Sequence, residues 1–295
     1  MDSIPCAPRL WGDDAFCNTR IKRYPDGSAQ ILVCNKPIFG GGWAARPKDT
    51  LPKGTGRKVD TIDQSPDARS MRRARAQVRD LALCTPFKYF VTLTLDAAKV
   101  DRYDMAAITR KLSVWADNQV RRKGLVYVLV PERHKDGAVH FHGFFNDALQ
   151  AVDSGTMTLS GWKKPRRPRS ARQRAEWAAM GAQVVYNLPG WTLGFTTAIP
   201  LYGDYHRAVS YVCKYIGKDG EKIGGRWYYS GGDLGEPEVE YTDTDYLKLS
   251  QSPDWYNFEV ETASLRFAQM ETAPTGCGRQ QEGGAAHGGN ERNSA

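Results

Sequence analysis

No uninterrupted apolar run in this 295-residue chain approaches the roughly 18 residues that a bilayer-spanning helix needs. The start, Met-Asp-Ser-Ile-Pro, has neither a basic segment nor an apolar core of the kind a secretion leader carries. Cysteine is sparse. The six residues Cys6, Cys17, Cys34, Cys84, Cys213 and Cys277 include no Cys-x-x-Cys pair, and a chain of this length can bury a core without disulfide staples. Reduced thiols in a cytoplasm are therefore expected. No phosphate-cradling Gly-x-x-x-x-Gly-Lys-Ser/Thr loop is present, so any helicase work must come from another protein. There is no internal repeat. What remains is a basic protein with no membrane partner, whose net charge of +8 points to a polyanion.

Along the chain, Arg20–Tyr24 and Ala29–Val33 flank the turn Pro25-Asp26-Gly27-Ser28, which predicts a hairpin in a small N-terminal β unit. Residues 40–60, rich in Gly, Pro and Lys, read as a linker, and the two together make a segment 1–60. A basic helix is expected within 61–86, where Arg69, Arg72, Arg73, Arg75 and Arg79 accompany a weak stripe of Met71, Ala74, Val78 and Leu81. From 87 to 250 strands and helices alternate. Strands are expected at Phe87–Leu95, Leu125–Val130, Val139–Phe145, Trp191–Leu201 and Arg226–Ser230, with helices at Asp104–Lys123 and Asp204–Gly217. That pattern implies an α+β fold, a five-stranded antiparallel sheet with helices packed on one face. A basic insertion at 150–190 carries Lys163, Lys164, Arg166, Arg167 and Arg169, with prolines that keep its front from being helical. A C-terminal extension at 251–271 and a disordered tail at 272–295 complete the chain.

Two patterns carry chemistry. His134-Lys135-Asp136-Gly137-Ala138 fits a three-residue hairpin loop with Gly137 in the left-handed position. That register pairs Glu132 with His140 and Val130 with His142, so Glu132, His140 and His142 share one face while Val139 and Phe141 take the other. Two imidazoles and a carboxylate suit Mn²⁺, with Mg²⁺ as the weaker alternative. A two-residue turn would move Glu132 to the wrong face, which ties its role to the loop length. Tyr211 and Tyr215 are one helical turn apart, each followed three residues later by a lysine, Lys214 and Lys218. A plain core stripe of aromatics would not place ammonium groups beside both rings. A phenol titrates near 10, so a nucleophilic tyrosine needs a cation to favour its phenolate and to offset charge in the transition state.

Phe90-Val91-Thr92-Leu93-Thr94, His140-Phe141-His142-Gly143 and Tyr211-Val212-Cys213-Lys214-Tyr215-Ile216-Gly217-Lys218 resemble, in order, the three motifs of HUH-superfamily rolling-circle replication initiators. The paired tyrosines, and the segment Arg226-Trp227-Tyr228-Tyr229-Ser230, look most like the initiators of small single-stranded DNA phages, prophages and plasmids. The resemblance covers roughly residues 87–233. It implies a ferredoxin-like HUH endonuclease sheet with the histidines on a central strand and the tyrosine helix across the site. It also implies a DNA nickase and ligase that cuts one strand at a replication origin through a covalent 5′-phosphotyrosine. The single-stranded origin, a host helicase and a host polymerase would be its partners in a bacterial cytoplasm.

The competing reading is a non-catalytic single-stranded DNA-binding protein of a phage or plasmid. It would use the basic run for phosphates and Arg226, Trp227 and Tyr228 as a binding and stacking platform. A further expectation concerns Cys6, Cys17 and Cys34, whose thiolates would need a fourth ligand to hold zinc.

Overall fold

The computed structural model describes residues 16–36, 39–40, 65–201, 205–244, 256–260 and 263–270. The expected tail at 272–295, most of the linker and Cys6 lie outside the described residues. Among those described, no helix is long and apolar enough to cross a membrane.

Along the chain the strands are β1 (Phe16–Cys17), β2 (Thr19–Arg23), β3 (Ala29–Cys34), β4 (Phe39–Gly40), β5 (Tyr89–Leu95), β6 (Tyr127–Arg133) and β7 (Val139–Phe145). They continue with β8 (Val152–Thr158), β9 (Gln183–Asn187), β10 (Gly194–Pro200), β11 (Tyr229–Gly231), β12 (Glu238–Thr242), β13 (Tyr256–Val260) and β14 (Ala263–Met270). The helices are α1 (Pro66–Cys84), α2 (Met105–Lys123), α3 (Ala171–Ala179) and α4 (Tyr205–Tyr215).

The main sheet is antiparallel and seven-stranded, in the order β11-β6-β7-β5-β10-β9-β8. The five strands expected from the sequence form its contiguous first five, with β7 in their middle. The expectation of five strands is corrected by β8 and β9, which extend the sheet from within the basic insertion. Helices on one face is corrected too. Val91, Leu93, Leu129, Phe141 and Phe145 pack with Ile108, Leu112 and Trp115 of α2, whereas Val128, Val130 and Phe144 pack with α1 and α4. Because successive strand residues point to opposite faces, these two lists are the two sides of one sheet. The central strands β5, β6 and β7 are buried on both sides, which is why they read as near-continuous apolar runs. The architecture is α+β with a seven-stranded sheet between helices, and no closed five-stranded ferredoxin-like sheet is present among the described residues.

Local chemistry explains the helix ends. The Asp104 side chain accepts from the backbone N–H groups of Ala106 and Ala107 at the start of α2, and Gly124 closes it in the left-handed conformation. Ser65 caps α1, whose first residue is Pro66.

A second sheet, β12-β2-β3-β14-β13, joins strands from both ends of the chain. Its hairpin β2–β3 follows the expected turn, Tyr24 N–H bonding to the carbonyl of Ser28 at 2.9 Å. Asn18 locks the edge: its Nδ2 donates to the carbonyl of Thr244 at 2.6 Å and its Oδ1 accepts from the Thr244 N–H at 2.8 Å. Asp80 of α1 is buried against this sheet, accepting from the Tyr24 hydroxyl at 2.8 Å and paired with Lys22. A short pairing of β1 with β4 completes the secondary structure.

Candidate functional site

The hairpin β6–β7 adopts the three-residue loop. His134 N–H bonds to the carbonyl of Ala138 at 2.8 Å, and Gly137 has φ 85°. The register pairs Glu132 with His140 and Val130 with His142. Gly143 is required next to the histidines for a different reason. A Cβ there would lie 1.9 Å from the backbone oxygen of Val128, so β6 and β7 can approach this closely only without a side chain.

His140 and His142 both face the α4 side of the sheet, each backed by a threonine of β5. Thr92 Oγ1 lies 3.1 Å from His142 Nδ1 and Thr94 Oγ1 lies 3.2 Å from His140 Nδ1. A hydroxyl both donates and accepts, so it holds the ring's orientation whichever nitrogen carries the proton. His142 Nε2 is 2.7 Å from Glu132 Oε2, and both side chains are largely buried. Burial holds both imidazoles below their ordinary range, and the neighbouring Glu132 carboxylate opposes this.

Above this pair sits the end of α4. The Tyr215 ring stacks on His142, centroids 4.3 Å apart and 12° from parallel. Its hydroxyl donates to that of Tyr211 at 2.5 Å, and the two phenol rings meet edge to face at 5.2 Å. Phe90 of β5 supports the cluster, 5.8 Å from Tyr211 and 6.3 Å from His142. Tyr211 itself is 48% exposed, so one phenol faces solvent while the other is half-buried against an imidazole.

Lys218 lies beyond the helix end, its ammonium 5.4 Å from the centre of the Tyr215 ring and paired with Glu132 Oε1. The loop bearing it is tied down by Asp219, which accepts from the Arg133 N–H at 3.0 Å. The sequence predicts that cations lower the barrier to phenolate. At Tyr215 the balance runs the other way: burial, then the hydrogen bond to Tyr211, then the nearby charges of Tyr211 and Glu132 push its hydroxyl up. The Glu132 carboxylate offsets Lys218, while Lys218 is itself held above its usual range by that hydrogen bond. Lys214 is exposed on α4.

Three contacts that motif reading does not reveal fix α4 in place. Arg75 of α1 donates through Nε and a terminal nitrogen to the carbonyl of Ile216, at 3.1 and 2.7 Å, where the helix leaves its last carbonyls without partners. At the other end the Tyr205 hydroxyl donates to the carbonyl of Ala82 at 2.6 Å, and His206 Nε2 meets Asp26 Oδ2 at 2.6 Å. In the sequence Arg75 is one of five arginines on a basic helix; only the packing of α1 on α4 separates it from the rest.

The chemistry of the donor set, two imidazoles and a carboxylate on one face of adjacent strands, fits a hard or borderline divalent cation. The described residues do not bring three His, Cys, Asp or Glu side chains together as a metal-holding cluster. Glu132 closes on His142 and Lys218 instead. The thiols fare differently: Cys34 is buried within β3 and burial raises it to about 12, which disfavours the thiolate zinc needs. Cys213 is packed under α4, its Sγ donating to the carbonyl of Arg75 at 3.7 Å.

The remaining expected residues are not at this centre. Lys163, Lys164, Arg166, Arg167 and Arg169 lie beyond β8, at the far edge of the sheet. Arg226 is exposed at the opposite edge, Tyr228 half-buried. Trp227 is buried, its indole N–H donating to Ser70 Oγ at 2.9 Å, so it has no free face to stack on a base.

Residues 88–220 match the family of replication-associated proteins of the ORF2 and gene II protein type. This segment runs from β5 through the loop after α4 and includes all three motifs. It is a replication-associated domain of that type, in accord with an HUH-type initiator, and it spans a little under half the chain. No curated protein and no solved structure gives a match.

Proposed function

We propose that the protein is a rolling-circle replication initiator that nicks and rejoins one DNA strand through a tyrosine-linked intermediate. The observation that carries this is the stacking of Tyr215 on His142 with its hydroxyl on Tyr211, which gathers two phenols and two imidazoles on one sheet face. The domain match over 88–220 supports the same reading.

In the reaction the oxygen of one tyrosine attacks a backbone phosphorus, and the P–O bond to the neighbouring sugar's 3′-oxygen breaks. The phenol proton leaves to solvent, the 3′-oxygen takes a proton, and the 5′-phosphate stays on the tyrosine. One phosphodiester replaces another, so attack by a 3′-hydroxyl restores the DNA without ATP. Lys218 is placed to balance charge beside the phenol, and the two tyrosines allow one cut while the other adduct persists. His140 and His142, with Glu132, would hold Mn²⁺ or Mg²⁺, which when bound polarises the phosphate. The 3′-hydroxyl left by the cut would prime a host polymerase behind a host helicase, in a bacterial cytoplasm.

The test is incubation with single-stranded origin DNA from the parent replicon, followed by denaturing electrophoresis. The natural protein should give an SDS-resistant adduct, and Tyr211→Phe/Tyr215→Phe should lose it by at least about 10³-fold. An undiminished adduct in the double variant refutes the tyrosine assignment. DNA binding without any adduct supports the non-catalytic single-strand binder instead.

A further inference from the structure

We propose that the edge unit β8–α3–β9 is a second DNA-contacting surface, remote from the tyrosines, that grips the phosphate backbone of duplex DNA flanking the cut strand. It takes from the function proposed above only what the DNA is for; the binding itself rests on the unit's own charge and packing.

Seven cations (Lys163, Lys164, Arg166, Arg167, Arg169, Arg172 and Arg174) fall within twelve positions. Some of them fold the unit. Arg174 closes on Asp153 at 2.6 Å, Arg172 on Glu176 at 3.0 Å, and Arg167 on the carbonyl of Ser154 at 3.3 Å. Those contacts occupy Asp153 and Glu176. Lys163, Lys164 and Arg169 are exposed, and no carboxylate among the described residues is paired with them. Helix α3 buries none of its residues. A helix that contributes nothing to a core, beside a surplus of unpaired positive charge, is built to face a polyanion.

The aromatic residues decide between single-stranded and duplex DNA. Single-strand sites need open aromatic faces on which bases stack. Trp162 and Trp177 are half-buried and pack edge to face at 4.8 Å, and the Arg166 guanidinium lies 4.6 Å over Trp162. These rings form the unit's small interior and leave its surface with charges alone. Charges alone suit the regular phosphate rows of a duplex.

The sheet sets the spacing. From β7 to β8 is four strand steps through β5, β10 and β9, roughly 19 Å at ~4.8 Å per step. A duplex rises about 3.4 Å per base pair, so the surface meets it roughly six base pairs from the cleaved phosphate.

The experiment uses the full chain, the variant Lys163→Gln/Lys164→Gln/Arg169→Gln, a random duplex of about 20 base pairs and an oligothymidylate of equal length, titrated against salt. For the duplex, the slope of log affinity against log salt should fall by about 2 to 3, with affinity down at least about tenfold at moderate salt. Oligothymidylate affinity and adduct formation on a short single strand should be unchanged. An unchanged duplex slope, or an equal loss on oligothymidylate, overturns the proposal. If the natural protein forms no adduct yet the duplex slope still falls, the nicking function fails while this surface stands. Lys163→Gln/Lys164→Gln, confined to the loop, gives the same readout with a proportionally smaller slope change should the triple variant fold poorly.

Discussion

The two ends of the main sheet are built on opposite principles. Around β7 the side chains interlock: imidazoles backed by threonines, a phenol stacked on an imidazole, a carboxylate shared between histidine and lysine, and a helix clamped at both ends. Around β8 and α3 almost nothing is buried, and the cations face water. Chemistry at phosphorus needs atoms held in place before the substrate arrives, which demands burial and second contacts. Holding a polyanion needs charge at the right spacing, and exposed side chains supply it without a rigid frame.

If the β7 end is the reacting centre, removing its ion ligands should have the largest effect. His140→Ala/His142→Ala, or chelation with EDTA, should abolish the covalent adduct by about 10³-fold or more, with Mn²⁺ restoring only the chelated natural protein. Adduct formation that survives both treatments would break the contrast between the two ends. Next is packing. Trp115 is buried between α2 and the sheet, with its indole N–H on the carbonyl of Gly190 at 2.8 Å. Trp115→Ala should cost about 3–5 kcal/mol in denaturant unfolding. Thr92→Val tests the backing of the imidazoles: metal affinity by calorimetry should fall about 10- to 100-fold with the melting temperature nearly unchanged. A wild-type affinity would mean the Thr92 hydroxyl does not position His142. The smallest effect belongs to the far edge. Trp177→Ala should cost about 1 kcal/mol or less, because α3 supports no core. A loss matching that of Trp115 would show that the edge unit is structural after all.

The sequence carried the hairpin that builds the site almost completely. Gly137 and the three-residue loop imply the pairing of Glu132 with His140, and strand alternation then assigns faces without further information. The strands β5 and β7 and the helices α2 and α4 were equally legible, because apolar periodicity and caps are local signals. The basic insertion was not. Its strands are short and polar, and Val152–Thr158 gains strand character from pairing with β9 more than from its own residues. Trp227 misled for a related reason, since an indole in a polar segment reads as exposed until Ser70 of α1 is found against it.

Residue identity and spacing by themselves determined which groups can react, which face of β7 they share and which family's motifs the segment 88–220 carries. Only the tertiary structure decided that Lys218 is engaged by Glu132, so that Tyr215 holds its proton more tightly than the neighbouring cation would suggest. Only the tertiary structure, too, chose Arg75 as the residue that closes the tyrosine helix and joined the two termini in one sheet. The reason is distance along the chain. Turns, caps and alternation act over a few residues, whereas a charge balance or a helix clamp depends on groups brought together from more than eighty positions apart.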